Sequence, residues 1–379
     1  MNLDPRSSLR TLARRLVAAT PPALRERLRL AYEEALRHRP YVRLGVFRGE
    51  TPAGPLTVAA GGLSAGSWLF YRELLFPQPP REVGRRTLLL RQLRRPQELP
   101  GDLVLVEADG ERAQAFAPER AFVVPYHVEC VIPAHGTWTE LYDRLPKGLR
   151  GEELRLVRKN GFDTERKPSR RDEDLERFFA TMYEPSMRVR HGAIALPATR
   201  EEMRQAFARS ELLQIYQGDA WVGGGVVEAK GELGFLHWIG CTDGDPRLYR
   251  EGVASAIYLA ALRWANARGL TGLNVVGARP YWESRQLRAK LKWGATLRMP
   301  TDWPRQIWIK VQRLTPAVRA FLLQNPSMAV DGKGNLSALV FHSGSTTGAP
   351  GGPAAATEDR YRKVAGVSGL IRRDVDELV

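Results

Sequence analysis

Three short apolar runs, residues 212–216, 221–228 and 233–240, are separated by two tight polar turns, Gln217-Gly218-Asp219 and Lys230-Gly231-Glu232. A glycine in so short a turn supplies the positive φ that joins antiparallel strands. The runs therefore read as a three-stranded antiparallel meander. What flanks the meander restricts the fold further. Upstream, residues 149–159 read as a basic helix stopped by Asn160-Gly161, and residues 162–166 as a short strand. Residues 172–184 form a helix with Leu175, Phe178, Phe179 and Met182 on one face. Residues 198–209 form another, opened by Thr199 with Glu202 three residues on, a capping box. Downstream, a loop at 241–251 leads into a helix at 252–268 that Gly269 ends. A strand at 273–276, a helix at 281–292 and strands at 295–299 and 306–312 follow.

The first third is less ordered in pattern. Residues 21–38 carry Leu24, Leu28, Ala31 and Ala35 at helical spacing behind Pro21-Pro22, with arginines on the other face. Such a helix packs on its own domain or lies on a membrane surface. Strand-like runs follow at 56–60, 67–70, 103–107 and 121–125, with a helix expected at 85–95. Residues 314–325 read as a helix, 343–357 as a Pro/Gly-rich linker and the end of the chain as a charged tail. The expected division is a helical segment at 1–40, an α/β lobe at 41–147, a second lobe at 148–313, a helix and hairpin at 314–342, and linker and tail at 343–379.

The chain has 379 residues, 43% hydrophobic and 26% charged, enough for more than one core. No apolar run approaches the ~20 residues of a membrane span, and arginines interrupt the first one, as no signal peptide would allow. Cys130 and Cys241 stand 111 residues apart with no CxxC, which suits a reducing cytosol. With 57 basic residues against 42 acidic, the formal charge is +15, and anionic partners are favoured. The six histidines show no metal-binding spacing, and no GxSxG elbow is present.

The order strand, helix, helix, three strands, helix, strand, helix, two strands resembles the GNAT acyltransferase fold. Met182-Tyr183-Glu184-Pro185, Arg190-His191-Gly192, Gly277-Ala278-Arg279-Pro280 and the stretch from Leu287 to Gly294 (LRAKLKWG) sharpen this. Together with the basic segment at 154–161 they resemble the Fem-type (FemAB-like) branch, over roughly residues 148–313. The resemblance implies a GNAT-like mixed sheet flanked by helices, with a partial or degenerate GNAT-like lobe before it. It implies an enzyme, an N-acyltransferase acting on a primary amine by direct attack. The acyl donor is acyl-CoA or, alternatively, aminoacyl-tRNA. The acceptor is an anionic amino-sugar or cell-envelope polysaccharide precursor. A non-catalytic lobe that binds anions or glycans is the third reading. No resident cofactor or metal is expected, tRNA is the alternative partner, and the location expected is cytoplasmic, at most peripheral to a membrane.

The resemblance also nominates residues. A GNAT helix N-terminus cradles pyrophosphate on free N–H groups, aided by the helix dipole. The family's Gln/Arg-x-x-Gly-x-Gly/Ala loop falls on Tyr249-Arg250-Glu251-Gly252-Val253-Ala254, with Ser255 and Arg247 beside it. Close packing of helix on strand is the alternative role for these glycine and alanine positions. Lys290 stands four before Gly294, where the family places its catalytic Tyr or Lys. A cation there stabilises a developing oxyanion by up to about 3–4 kcal/mol. His237 is the candidate base in the meander, although a histidine in an apolar strand is commonly a core residue. Arg190, His191, Arg279, Lys292 and Trp293 are expected to bind substrate, where a bidentate arginine suits an anionic sugar or phosphate.

Overall fold

A computed structural model describes residues 41–62, 65–94, 99–109, 120–192, 197–300, 305–331, 333–344 and 360–379. The helix expected at 21–38 and the linker core at 345–357 lie outside these residues. The protein is a mixed α/β molecule of two lobes. The first lobe carries strands β1 (Tyr41–Thr51), β2 (Gly54–Gly61), β3 (Arg81–Leu89), β4 (Leu103–Asp109) and β5 (Phe122–Pro125), with helix α1 (Ala65–Leu75) between β2 and β3.

The second lobe begins with β6 (Val128–Pro133) and helices α2 (Trp138–Arg144), α3 (Lys147–Gly151) and α4 (Glu153–Lys159). Next come β7 (Phe162–Asp163) and α5 (Asp172–Phe178), which runs through a π-helical turn (Phe179–Tyr183) into α6 (Glu184–His191). Helix α7 (Arg200–Phe207) leads into the meander β8 (Ser210–Gln217), β9 (Ala220–Lys230) and β10 (Leu233–Cys241). Helices α8 (Pro246–Glu251) and α9 (Val253–Ala267), strand β11 (Gly272–Ala278), helix α10 (Arg285–Leu291) and strand β12 (Thr296–Arg298) complete it. The chain ends with β13 (Arg305–Val311), α11 (Pro316–Gln324), β14 (Ser327–Val330), β15 (Leu336–His342) and β16 (Leu370–Asp374).

The second sheet runs β12-β6-β11-β10-β9-β8-β7, so β7 to β11 lie side by side in chain order. That is the arrangement the GNAT-like expectation requires. The meander turns are local: Gly218 and Gly231 adopt φ of 60° and 59°. The capping box at Thr199 forms in both directions and stabilises α7 by about 1 kcal/mol. Helix α9 is nearly all apolar because it is wrapped by the lobe: Ala256, Ile257, Ala261, Leu262 and Ala265 are fully buried. Fully burying a Leu or Ile contributes about 1.5–3 kcal/mol. Glycines on β9 and β10 let the helices approach. A Cβ at Gly225 would meet Ile257, and one at Gly240 would meet the backbone of Met182.

The lobes exchange strands. Strand β13 inserts between β4 and β5 in the first sheet, while β6 pairs with β11 in the second. Only Tyr126 and His127 separate β5 from β6, so the crossover is a two-residue bridge. The boundary expected at 147/148 therefore falls inside the second lobe, whose core already includes Val128, Ile132, Leu141 and Leu145.

Local pattern misled in two places. Residues 85–95, expected as a helix, form the end of β3 and a 3-10 turn (Leu90–Arg94). Pairing with β1 overrides the helix preference of Arg, Leu and Gln there, and only Leu88 of β3 is buried. Residues 67–70, expected as a strand, are helical; Ser67, Tyr71 and Leu75 recur every four residues on the buried face of α1. The charged tail docks on the third sheet. Strand β16 pairs in parallel with β15, and Tyr361, Val375 and Leu378 are buried.

Candidate functional site

Strands β10 and β11 are parallel but pair only where 233–235 lie opposite 272–274. Past Asn274 they separate. There β11 also loses register with β6, and Val276 takes a φ of 57°, a strained value for a β-branched residue. The buried Asn274 side chain supports the distortion by accepting from the Val276 N–H at 2.9 Å. Lys290 bonds two carbonyls of the distorted stretch. Its Nζ donates to Val276 O at 2.9 Å and to Gly277 O at 2.7 Å. Leu287 and Lys290, three residues apart, form the inward face of α10. Lys290 is 3% exposed, and loss of solvent pushes its ammonium down to about 8.

The surroundings of Lys290 come largely from the crossover between lobes. Cys130 of β6 is fully buried near it, and burial pushes that thiol up to about 11. His127 packs on Gly277, where an added Cβ would come within 2.5 Å of the ring. Burial first, then the charges of Arg279, Lys290 and Arg305, push His127 down to about 4, so it is neutral at pH 7. Its buried Nδ1 has no hydrogen-bond partner among the described residues. Arg279 stacks against two rings, 4.9 Å from Phe70 and 4.7 Å from Tyr126. Arg305 pairs with the buried Glu107 at 2.7 Å. Three cations, one carboxylate and a neutral imidazole thus gather where the lobes meet. His127, Tyr126, Arg305 and Glu107 were missed from sequence. Nothing in their spacing links them to Lys290, because the strand exchange brings them there.

His237 stands on β10 two residues past the last pairing with β11. It sits at the irregularity of β10, and its Nε2 is 2.9 Å from the Glu228 carboxylate, which also takes Arg209 at 2.5 Å. Burial lowers its affinity for a proton, while Glu228 opposes that. The charged groups facing it are Glu228, Arg209 and Lys230, and no hydrogen bond joins it to Lys290 among the described residues.

The nominated phosphate loop has a carboxylate of the chain beside it. Gly252 adopts a φ of 104° between α8 and α9, and a Cβ there would stand 3.3 Å from Leu156 of α4. Val253 is buried and Ala254 half-buried. Ser255 donates to Glu153 at 2.8 Å, and Lys292 pairs with the same carboxylate at 3.4 Å. Asn160 ties α4 to the Glu251 carbonyl at 2.8 Å. The N-terminus of α9 therefore already faces a carboxylate supplied by the chain. Arg247 is held by Asp245 at 3.8 Å and Glu251 at 3.6 Å, and Arg250 is exposed. Arg190 lies over the Tyr249 ring at 5.1 Å. The side chain of His191 lies outside the described residues. Trp293 is buried on Tyr258 with ring centroids 5.3 Å apart, which makes it a packing residue. Of the nominated substrate residues with described side chains, Arg279 lies beside His127 in the Lys290 cluster, and Trp293 donates its backbone N–H to the Lys290 carbonyl at 3.0 Å.

Among the described residues there is no group of three or more His, Cys, Asp or Glu that could hold a metal ion. No helix among them is long and apolar enough to cross a membrane.

Neither a protein-family model nor a curated protein matches the sequence. Solved structures do. One is the structure of L-PGS from Bacillus licheniformis, 11% identical, covering 73% of this chain and 88% of that one, at a TM-score of 0.35. Another is FemX, 10% identical, covering 69% and 83%, at 0.37. A third is a GCN5-related N-acetyltransferase from Sphaerobacter thermophilus, 14% identical, covering 68% and 73%, at 0.28. Likenesses at this level carry no statement about chemistry.

Proposed function

We propose that this chain transfers an acyl or aminoacyl group from an activated ester to a primary amine, in the cleft where β10 and β11 separate. The observation that carries this reading is Lys290. An ammonium has three donors, and two are fixed on the carbonyls of Val276 and Gly277. The third is the donor for an acyl oxygen. The attacking amine adds to the carbonyl carbon, negative charge grows on that oxygen, and a cation oriented beforehand stabilises it. Collapse breaks the ester bond and expels the leaving oxygen or sulfur. That atom takes up the proton the amine gives off, so no acyl-enzyme is needed. Arg279, beside the same cleft, suits an anionic acceptor such as an amino-sugar or cell-envelope precursor.

Glu153 bears on the donor. A carboxylate already on Ser255 and Lys292 opposes a CoA pyrophosphate at the start of α9. This favours an aminoacyl ester of tRNA over acyl-CoA, and the +15 charge suits a polyanionic donor. The experiment is transfer of a labelled group to a panel of amino-sugar acceptors, offered either as aminoacyl-tRNA or as acetyl- and longer acyl-CoA. Transfer from the tRNA ester that collapses as salt rises is the expected result. Transfer from acyl-CoA alone reverses the choice of donor. No transfer from either leaves a non-catalytic binding lobe, and full transfer activity in Lys290→Ala overturns the role given to Lys290.

A further inference from the structure

A second cavity lies away from Lys290, between the loop after β7 and the C-terminal half of α9. Its volume is about 360 Å³. That is within the ~300–1,000 Å³ typical of small-molecule sites. Its walls combine flat rings and cations. Arg263 lies over the Trp138 ring at 4.6 Å, and Arg268 over the Trp264 ring at 4.5 Å. Both indoles and both guanidiniums line the cavity. Trp264 is anchored from behind, its indole N–H donating to Glu211 at 2.6 Å. Arg166 and Lys167 stand at the rim. Arg166 is held by Asp163 at 3.0 Å, whereas Lys167 has no carboxylate partner among the described residues. Glu165 is the one acid in the lining, and it pairs with Arg263.

From this we infer a binding site for a nucleotide phosphate, with the base stacked on the arginine-indole walls and the phosphate at the Lys167 rim. Bases stack on aromatic rings and on guanidinium planes alike. An unpaired rim ammonium attracts a phosphate without first breaking an ion pair. Arg268 already pairs with Glu211 at 2.5 Å, as Arg166 and Arg263 pair with their own carboxylates, so a neutral flat ligand would leave Lys167 unused and a bare anion would leave the rings unused. The same chemistry is offered by a free mononucleotide and by the end of an RNA strand.

The test is calorimetric titration of the full chain with 5′-AMP, adenosine, inorganic phosphate and a single-stranded RNA tetranucleotide. AMP is expected to bind saturably and at least tenfold tighter than adenosine or phosphate. Lys167→Ala and Trp138→Ala each weaken it at least fivefold. Trp138 is half-exposed, and Lys167→Ala guards against a folding defect in the other variant. Arg279→Ala, in the cleft between lobes, leaves AMP binding unchanged, which keeps the result independent of the proposed reaction. The tetranucleotide binding more than tenfold tighter than AMP supports the site as one for an RNA end, and equal affinity supports it as one for a free nucleotide. The inference fails if AMP does not bind, if adenosine or phosphate binds as tightly, if neither Lys167→Ala nor Trp138→Ala weakens binding, or if Arg279→Ala abolishes it.

Discussion

Replacing Lys290 by methionine separates burial from chemistry, and its pH dependence has a definite sign. The unfolded chain holds a lysine near 10.5, while the folded chain holds Lys290 at about 8. Below pH 8 both states are protonated, and the folded state bears the full cost of a buried charge. Between about 8 and 10.5 the unfolded state binds more protons, so stability rises with pH. A shift of this size, taken through the linkage relation from pH 7 to pH 10, amounts to about 2.5 kcal/mol. Lys290→Met lacks that gain. It also leaves the Val276 and Gly277 carbonyls unpaired, at about 1–3 kcal/mol each. Urea unfolding of both proteins at pH 7, 8, 9 and 10 measures the difference, and other groups cancel. Cys130, whose charge couples to Lys290, remains largely a thiol over this range because its pKa is about 11. The expected result is that the wild type gains on the variant by about 2.5 kcal/mol across the series. A difference that stays flat, or shrinks as pH rises, would refute the buried, desolvated ammonium. If transfer activity is present, it should fall as pH rises through about 8, because the neutral amine loses the charge that faces the oxyanion.

Glu153→Gln removes the charge that Ser255 and Lys292 hold at the start of α9. CoA should then bind at least tenfold tighter than to the wild type in a thermal-shift titration; equal binding would show that Glu153 does not guard the helix end. Gly366→Ala should destabilise by roughly 3 kcal/mol or more, since Gly366 has a φ of 88° and a Cβ there would strike the Leu297 carbonyl. Urea unfolding checks it, and a change under ~0.5 kcal/mol would mean the docked tail tolerates the shift. Cys130 should resist iodoacetamide at pH 8 in the native protein and react after denaturation, as followed by mass spectrometry; rapid native labelling would contradict its burial.

The candidate site was legible only in part. Lys290 and Arg279 were marked by a motif that keeps its spacing within one helix or one turn, and both lie at the parting of β10 and β11. The helix start at Gly252 was legible too, because a left-handed cap is a local requirement. Its occupation was not: Glu153 lies 102 residues before Ser255, and no pattern in either segment announces the other. His237 was chosen for its residue type. Its partner, Glu228 across the hairpin, is set by the register of β9 and β10.

Residue order alone specified whatever closes over a few positions. The turns at Gly218 and Gly231, the capping box of Thr199 and Glu202, and the apolar length of α9 each depend on neighbours within one turn or one hairpin. Tertiary packing specified everything that needs a partner from far along the chain. Residues 81–89 became a strand because β1 offered an edge, and the tail became ordered because β15 offered another. The exchange of β6 and β13 set His127, Arg305 and Glu107 around a lysine more than a hundred residues from two of them. Backbone hydrogen bonds and buried area are indifferent to sequence distance, so a site assembled from crossed strands leaves no trace in local spacing.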